Sequence, residues 1–155
     1  MSEFASATMD VGIVVGNIEA SAKFYKDALG FTEVKGFDVP AEMGRDTGLT
    51  DSKPFRVRVF LLSDAPTATK LKMFQIPDAP GVKIDNTFAH SSLGFRYLTI
   101  LVNDTTAAVA RLKKAKVKLL AKCPYPFPES VAKGIYLTVV RDPDGNMVEL
   151  IGPRK

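Results

Sequence analysis

The chain carries one histidine, one cysteine and no tryptophan, so few side chains are available for nucleophilic or metal chemistry. His90 is flanked by Ser91 and Ser92, residue types of a hydrolytic triad, but no G-x-S-x-G nucleophile elbow surrounds them. Without that sharp turn no serine hydroxyl is presented to a base, and His90 reads as a polar loop residue. Cys123 stands beside Pro124 with only Lys122 as a basic neighbour, a weak setting for a thiolate. Neither G-x-G-x-x-G nor a P-loop is present, so a nucleotide cofactor has no fingerprint. The segment KCPYPFPES (122–130) alternates Pro124, Pro126 and Pro128 with Tyr125 and Phe127. Three prolines stiffen the chain into an extended form that presents aromatic rings at low entropic cost. Two readings stay open for it, an aromatic ligand-covering rim and a loop packed on a sheet edge.

The charge pattern narrows the class of partner. A net charge of +4 mildly favours anionic partners by long-range attraction. The densest basic group, Arg111, Lys113, Lys114, Lys116 and Lys118, reads as a solvated helix face. No helix-turn-helix, zinc-finger or aromatic RNA-binding pattern accompanies it, so no nucleic-acid partner is expected. No apolar run reaches the length of a membrane span, and no membrane partner is expected. Residues 1–9 lack a basic start and a long apolar run, and read as a flexible tail rather than a secretory signal. A single cysteine fits a reducing compartment, so the expected location is cytoplasmic.

The elements that must position any site follow from periodicity. Residues 10–15 (DVGIVV) are short and β-branched, and read as a strand. Asn17 is a good N-cap for a helix running to Leu29, with Ile18, Ala22, Tyr25 and Leu29 on its apolar stripe. Gly30 supplies the left-handed residue that ends it, and Phe31–Lys35 resumes as a strand. Residues 36–54, with Gly36, Pro40, Gly44, Gly48 and Pro54, read as a long irregular loop carrying Arg45 among acidic residues. Strands are expected at Phe55–Leu62 and Lys70–Ile76, and residues 77–93 read as a linker.

The order then repeats. Phe95–Val102 is a strand, Asp104 caps a helix with Ala108, Leu112 and Ala115 on its stripe, and Val117–Ala121 is a strand. After the proline-broken loop, Ile135–Val140 and Met147–Ile151 form a hairpin closed by Asp142-Pro143-Asp144-Gly145. The pattern is β-α-β-β-β twice, with modules at 10–76 and 94–152. It predicts an α+β fold in which two βαβββ modules form a curved mixed sheet around a central cleft.

Two stretches carry a family resemblance. DVGIVVGNIEASAKFYKDALGF is similar to the opening of vicinal-oxygen-chelate proteins, and RDPDGNMVELIG resembles their closing hairpin; RYLTILVND takes the place of the second module's first strand. That superfamily includes glyoxalases, extradiol dioxygenases and bleomycin resistance proteins. In its metal-dependent members the resemblance implies four ligand positions, His or Glu, which fall here on Asp10, Lys72, Tyr97 and Glu149. Only Glu149 keeps the family's residue type. Catalytic transition-metal sites want neutral imidazoles with carboxylates, and an ammonium at Lys72 would sit where the cation belongs. The expectation is therefore a divergent member with no metal and no cofactor. Lys72 either replaces the metal's charge or belongs to a structural ionic cluster.

The expected function is a non-metal cleft binding a small neutral or anionic molecule, aromatic ones included. Its ligand-binding residues would be Asp10, Lys72, Tyr97, Glu149, Tyr125 and Phe127. A cationic bleomycin-type ligand suits a +4 chain poorly. The alternative is a metal-free lyase or isomerase abstracting a proton next to a carbonyl, with Lys72 stabilising an enolate and Glu149 or Asp10 moving the proton. A divalent-metal glyoxalase or dioxygenase ranks third. The resemblance also implies a homodimer.

Overall fold

Runs of alternating β-branched and aromatic residues build two four-stranded mixed sheets, in which the strands 11–14, 71–74, 55–61 and 32–39 (β1, β4, β3, β2) and the strands 97–101, 147–153, 135–141 and 125–126 (β5, β8, β7, β6) lie side by side in those orders. The computed structural model describes residues 3–155, so only residues 1 and 2 of the expected tail lie outside the described residues. The first compact unit holds the chain up to Ala22 together with Gly30–Val82, and the second holds Lys23–Leu29 with Lys83–Lys155. Among the described residues no helix is long and apolar enough to cross a membrane.

In the first unit β1 (Val11–Val14) pairs in parallel with β4 (Leu71–Phe74), which runs antiparallel to β3 (Phe55–Leu61). β2 (Thr32–Val39) completes the sheet against β3. The helix α1 (Ile18–Lys23) begins as expected, its Asn17 Oδ1 accepting from Ala20 N at 2.9 Å. Gln75 adds a second tie: its amide accepts from Ile18 N and donates to Gly16 O. Leu71, Met73 and Phe60 share the buried face. Arg58 is clamped by both oxygens of Glu33 (2.6 and 2.8 Å) and by Glu19 at 2.8 Å, bonds that raise its pKa.

The expected loop over 36–54 is a correction. β2 continues to Val39, and α2 (Ala41–Asp46) follows with Pro40 preceding its first residue. The glycine taken as a breaker does something else. A bulge between Val34 and Phe37 keeps β2 paired, and Gly36 lies where a Cβ would collide with the Val57 carbonyl. Close backbone approach, rather than chain reversal, is its local use.

In the second unit the π-helical segment Phe24–Ala28 and α3 (Thr105–Lys114) supply the helical layer. Gly30, just past that segment, has the left-handed φ of 84° expected of it. β5 (Tyr97–Leu101) pairs in parallel with β8 (Met147–Pro153), and β7 (Ile135–Arg141) pairs antiparallel with β8. Tyr25, Ala28, Ala108, Leu112, Val140, Val148 and Leu150 are buried. Fully burying a leucine or valine side chain contributes roughly 1.5–3 kcal/mol, so Leu112, Val140, Val148 and Leu150 anchor the unit. Asp104 caps α3 as expected, accepting from Thr106 N at 2.8 Å. The turn at 142–145 closes with Gly145 N donating to Asp142 O at 3.0 Å.

The strand expected at Val117–Ala121 is not formed. Lys116, just before it, and Ala121, its last residue, take left-handed φ values of 58° and 47°, which leave only a short extended run between two turns. Only a single bridge joins Leu119 to Val140. The edge strand is instead β6 (Tyr125–Pro126), paired with Tyr136 and Leu137, and α4 (Glu129–Ala132) follows it. A proline is tolerated there because an edge strand leaves one N–H position unused.

Residues 77–93 contain no helix or strand, yet two guanidinium groups organise them. Arg96 donates to the carbonyls of Ala89 (2.9 Å) and Asp85 (3.0 Å) and to Asn86 Oδ1 (2.8 Å). Arg141 donates to the carbonyls of Thr87, Gly145 and Asn86. His90 lies in this segment, its ring stacked on Phe88 at 5.6 Å.

Candidate functional site

Strand alternation puts Lys72 and Phe74 on the face of the first sheet opposite to Leu71 and Met73. Register then places their neighbours: Gly12 beside Lys72, Val14 beside Phe74, and Val59 across from Lys72. Val39, Val57 and Val59 are buried and pack with Phe55 as one apolar cluster. Phe55 stacks on Phe74, with ring centroids 4.3 Å apart and an angle of 28° between planes. Lys72 is thus a cation set into an apolar aromatic surface.

Asp10, just ahead of β1, pairs with it. Lys72 Nζ lies 2.9 Å from Asp10 Oδ2, and Lys70 N donates to Asp10 Oδ1 at 3.0 Å. The Lys72 hydrogen bond, helped by the Lys70 amide, holds the Asp10 carboxyl below the usual carboxylate range. The side chains are 36% (Lys72) and 30% (Asp10) exposed, so the pair is reachable by a ligand. Gly12 leaves a notch next to it, since a Cβ there would meet nothing within 4 Å.

Tyr97 and Glu149 share one face of the second sheet. Tyr97 stands opposite Met147, Thr99 opposite Glu149, and Thr99 Oγ1 donates to Glu149 Oε2 at 2.9 Å. Leu137 and Val139 extend the same face, and Tyr125 lies opposite Leu137 at the far edge. Tyr97 and Tyr125 are each 55% exposed. Phe127 is half-buried, and its N–H donates to Ile135 O at 2.9 Å. Sheet-edge packing therefore accounts for the backbone of the proline-rich segment, while the Tyr125 ring stays exposed.

The six sequence-derived residues fall into two groups, Asp10 with Lys72 in the first unit and the other four in the second. Sequence reasoning missed Gly12, Phe55, Phe74 and Thr99. Phe74 was within reach, because it follows Lys72 at the strand period of two. Gly12, Phe55 and Thr99 needed the strand register.

The donor set tests poorly for a divalent transition metal. Asp10 already holds an ammonium, and a cation brought to about 4 Å from it meets repulsion of about 4 kcal/mol per unit charge at an effective dielectric of about 20. Among the described residues no group of three or more His, Cys, Asp or Glu side chains is placed to hold a metal ion.

Comparison with known proteins agrees with this architecture. The family model described as Glyoxalase/Bleomycin resistance protein/Dioxygenase superfamily matches residues 8–150. A glyoxalase family protein from Bacillus cereus superposes with a TM-score of 0.77 at 20% identity, covering 100% of this chain and 99% of that one. The trypanothione-dependent glyoxalase I of Leishmania major gives 0.65 at 20% identity, covering 96% and 87%. Glyoxalase I of Zea mays gives 0.68 at 18% identity, with 93% of this chain matching 43% of that one. At these identities the structural likeness speaks for the fold alone. No match is found among curated proteins.

Proposed function

The chain belongs to the Glyoxalase/Bleomycin resistance protein/Dioxygenase superfamily, and from that premise we propose that it binds a small neutral or anionic molecule without a metal ion. The observation that carries this reading is the Lys72–Asp10 ion pair on a sheet face otherwise floored by Val57, Val59, Phe55 and Phe74. Lys72 offers a hydrogen-bonding cation to a carboxylate or carbonyl oxygen, and the stacked rings offer an apolar bed for a flat ligand body. In the second unit, Tyr97, Glu149, Tyr125 and Phe127 are the proposed ligand-facing residues. The lone Cys123 supports a reducing, cytoplasmic setting.

A second reading is favoured by the same pair. A carboxylate and an ammonium 2.9 Å apart can divide proton abstraction between them. The Asp10 carboxylate would take the proton from carbon next to a carbonyl, while the Lys72 ammonium hydrogen-bonds the enolate oxygen. Returning the proton to the opposite face of that carbon completes an isomerisation, and returning it to the same face gives only exchange with solvent.

Elemental analysis and ligand titration together test the proposal. The full chain, dialysed against a chelator, is titrated with benzoate and with a 2-oxo acid such as phenylpyruvate while backbone amide shifts are followed. Saturable shifts at Gly12, Lys72 and Phe74, lost in Lys72→Met, are expected from metal-free protein. Near-stoichiometric zinc, nickel, iron or manganese, with binding that disappears on its removal, would overturn the reading. Enolate chemistry is read separately, as exchange of the phenylpyruvate C3 protons with deuterium.

A further inference from the structure

A cavity of about 330 Å³, widely open to solvent, lies in the second unit, between Phe24, the turn after α3 and the end of β7. Phe24, Val117, Leu120 and Pro143 supply its apolar walls. Lys116 and Lys118 are exposed and also line it, and neither has an ion-pair partner among the described residues. A volume near the lower end of small-molecule sites suits a compact ligand.

The backbone of Lys116 is strained. Val117 N donates to Leu112 O and Lys116 N to Lys113 O, both at 2.9 Å, which closes the end of α3 in the Schellman pattern. That closure requires a left-handed residue, and Lys116 provides it with φ of 58°. Glycine meets the requirement without the Cβ strain that an L side chain incurs. A lysine there works against folding, so its side chain is the feature that needs a use.

The other charged groups in the lining are already occupied. Arg141 spends its guanidinium on the carbonyls of Asn86, Thr87 and Gly145. Asp142 accepts from Asp144 N and Asn146 N on one oxygen, and from Tyr25 Oη and Asn146 Nδ2 on the other. The lining holds three cations, Lys116, Lys118 and Arg141, against the one carboxylate of Asp142. The two ammonium groups are left for a ligand.

We propose that this cavity binds a small organic anion, its carboxylate or phosphate head on Lys116 and Lys118 and its apolar body against Phe24, Val117, Leu120 and Pro143. The site shares no residue with the Lys72 face, so it stands or falls independently of the ligand proposed there.

The test titrates the isotopically labelled full chain with benzoate, phenyl phosphate and neutral benzyl alcohol. Saturable amide shifts at Val117, Lys118 and Leu120 are expected with at least one anion, and none with the alcohol; the two anions separate carboxylate from phosphate preference. Lys116→Gly should weaken binding at least fivefold while keeping or raising Tm, because the strain is relieved. Lys118→Gln should weaken it similarly, and Lys116→Arg should retain it. Unchanged affinity in both Lys116→Gly and Lys118→Gln would overturn the site, as would equal binding of benzyl alcohol. Shifts confined to Gly12, Lys72 and Phe74 would also remove it, while leaving the Lys72 face intact.

Discussion

Tyr25 Oη donates to Asp142 Oδ2 at 3.1 Å, joining residues 117 positions apart in the chain. Both side chains are buried, and they come from the two stretches that carry the family resemblance, FYKDALGF and RDPDGNMVELIG. Asp142 also receives the amides of Asp144 and Asn146, so one carboxylate organises the β7–β8 turn and ties it to the helical layer. Burial first, and then the Asp142 carboxylate, raise the Tyr25 pKa far above its ordinary value.

Tyr25→Phe should therefore cost about 1–2 kcal/mol at neutral pH, the usual effect of removing one partner of a buried hydrogen bond. The unfolded tyrosine titrates near about pH 10 and the folded one higher, so folding favours the protonated form. That contribution is complete below about pH 10 and is lost as pH rises toward the folded pKa. Urea denaturation at pH 7 and pH 11 should show a smaller gap between wild type and Tyr25→Phe at the higher pH. An equal gap would detach the stability of Tyr25 from its proton.

Lys72→Met should lower stability by about 1 kcal/mol or less at pH 7, because a pair this exposed is screened by water. Asp10 has a lowered folded pKa, so its contribution is present above the unfolded value near about 3.9 and lost as pH falls through the folded one. Thermal melts should show the deficit shrinking between pH 6 and pH 3. A deficit independent of pH would mean that Lys72 acts through packing alone.

Gly12→Val fills the notch beside Lys72 with no contact to break, and valine is the better strand residue. The variant should fold with unchanged or higher Tm, yet lose at least tenfold in benzoate affinity at the Lys72 face. Retained affinity would place the ligand elsewhere.

Arg111 donates to the carbonyls of Ala28 (2.9 Å) and Leu29 (3.3 Å), at the end of the first helical stretch. A cation at a helix C-terminus satisfies orphan carbonyls and opposes the macrodipole. Arg111→Met should cost about 1–2 kcal/mol, while Lys113→Met and Lys114→Met, on exposed positions, should each stay within about 0.5 kcal/mol of wild type. Equal effects at the three positions in chemical denaturation would reject this role.

Self-association is also expected. Leu93, Phe95 and Leu101 are 99%, 107% and 80% exposed, and β5 is an edge strand of its sheet. Such surfaces favour two-fold pairing. Sedimentation equilibrium should report a dimer, and a monomer persisting at tens of micromolar would reject it.

Local chemistry was legible from the sequence alone. The caps at Asn17 and Asp104, the left-handed Gly30, and the 142–145 turn each depend on residues within a few positions of one another. The strands β1, β3, β4, β5, β7 and β8 and the helices after Asn17 and Asp104 were legible too, because alternation and helical spacing are short-range patterns, and the motifs at the two ends pointed to the family. Tertiary structure decided what required partners distant in the chain. Gly36 looked like a breaker until the Val57 carbonyl came against it, and Val117–Ala121 looked like a strand until its pairing with β7 shrank to one bridge at Leu119 and Ala121 turned left-handed. Arg111 looked like one of five solvated cations, since nothing local announces the Ala28 carbonyl. The Lys72 surface is the clearest instance. The resemblance proposed Lys72 and Asp10 together, but only the β1–β4 and β3–β4 registers brought Gly12 and Val59 beside that lysine, and only packing stacked Phe55 on Phe74. Register is set by burial over whole strands, and no short window of sequence contains it.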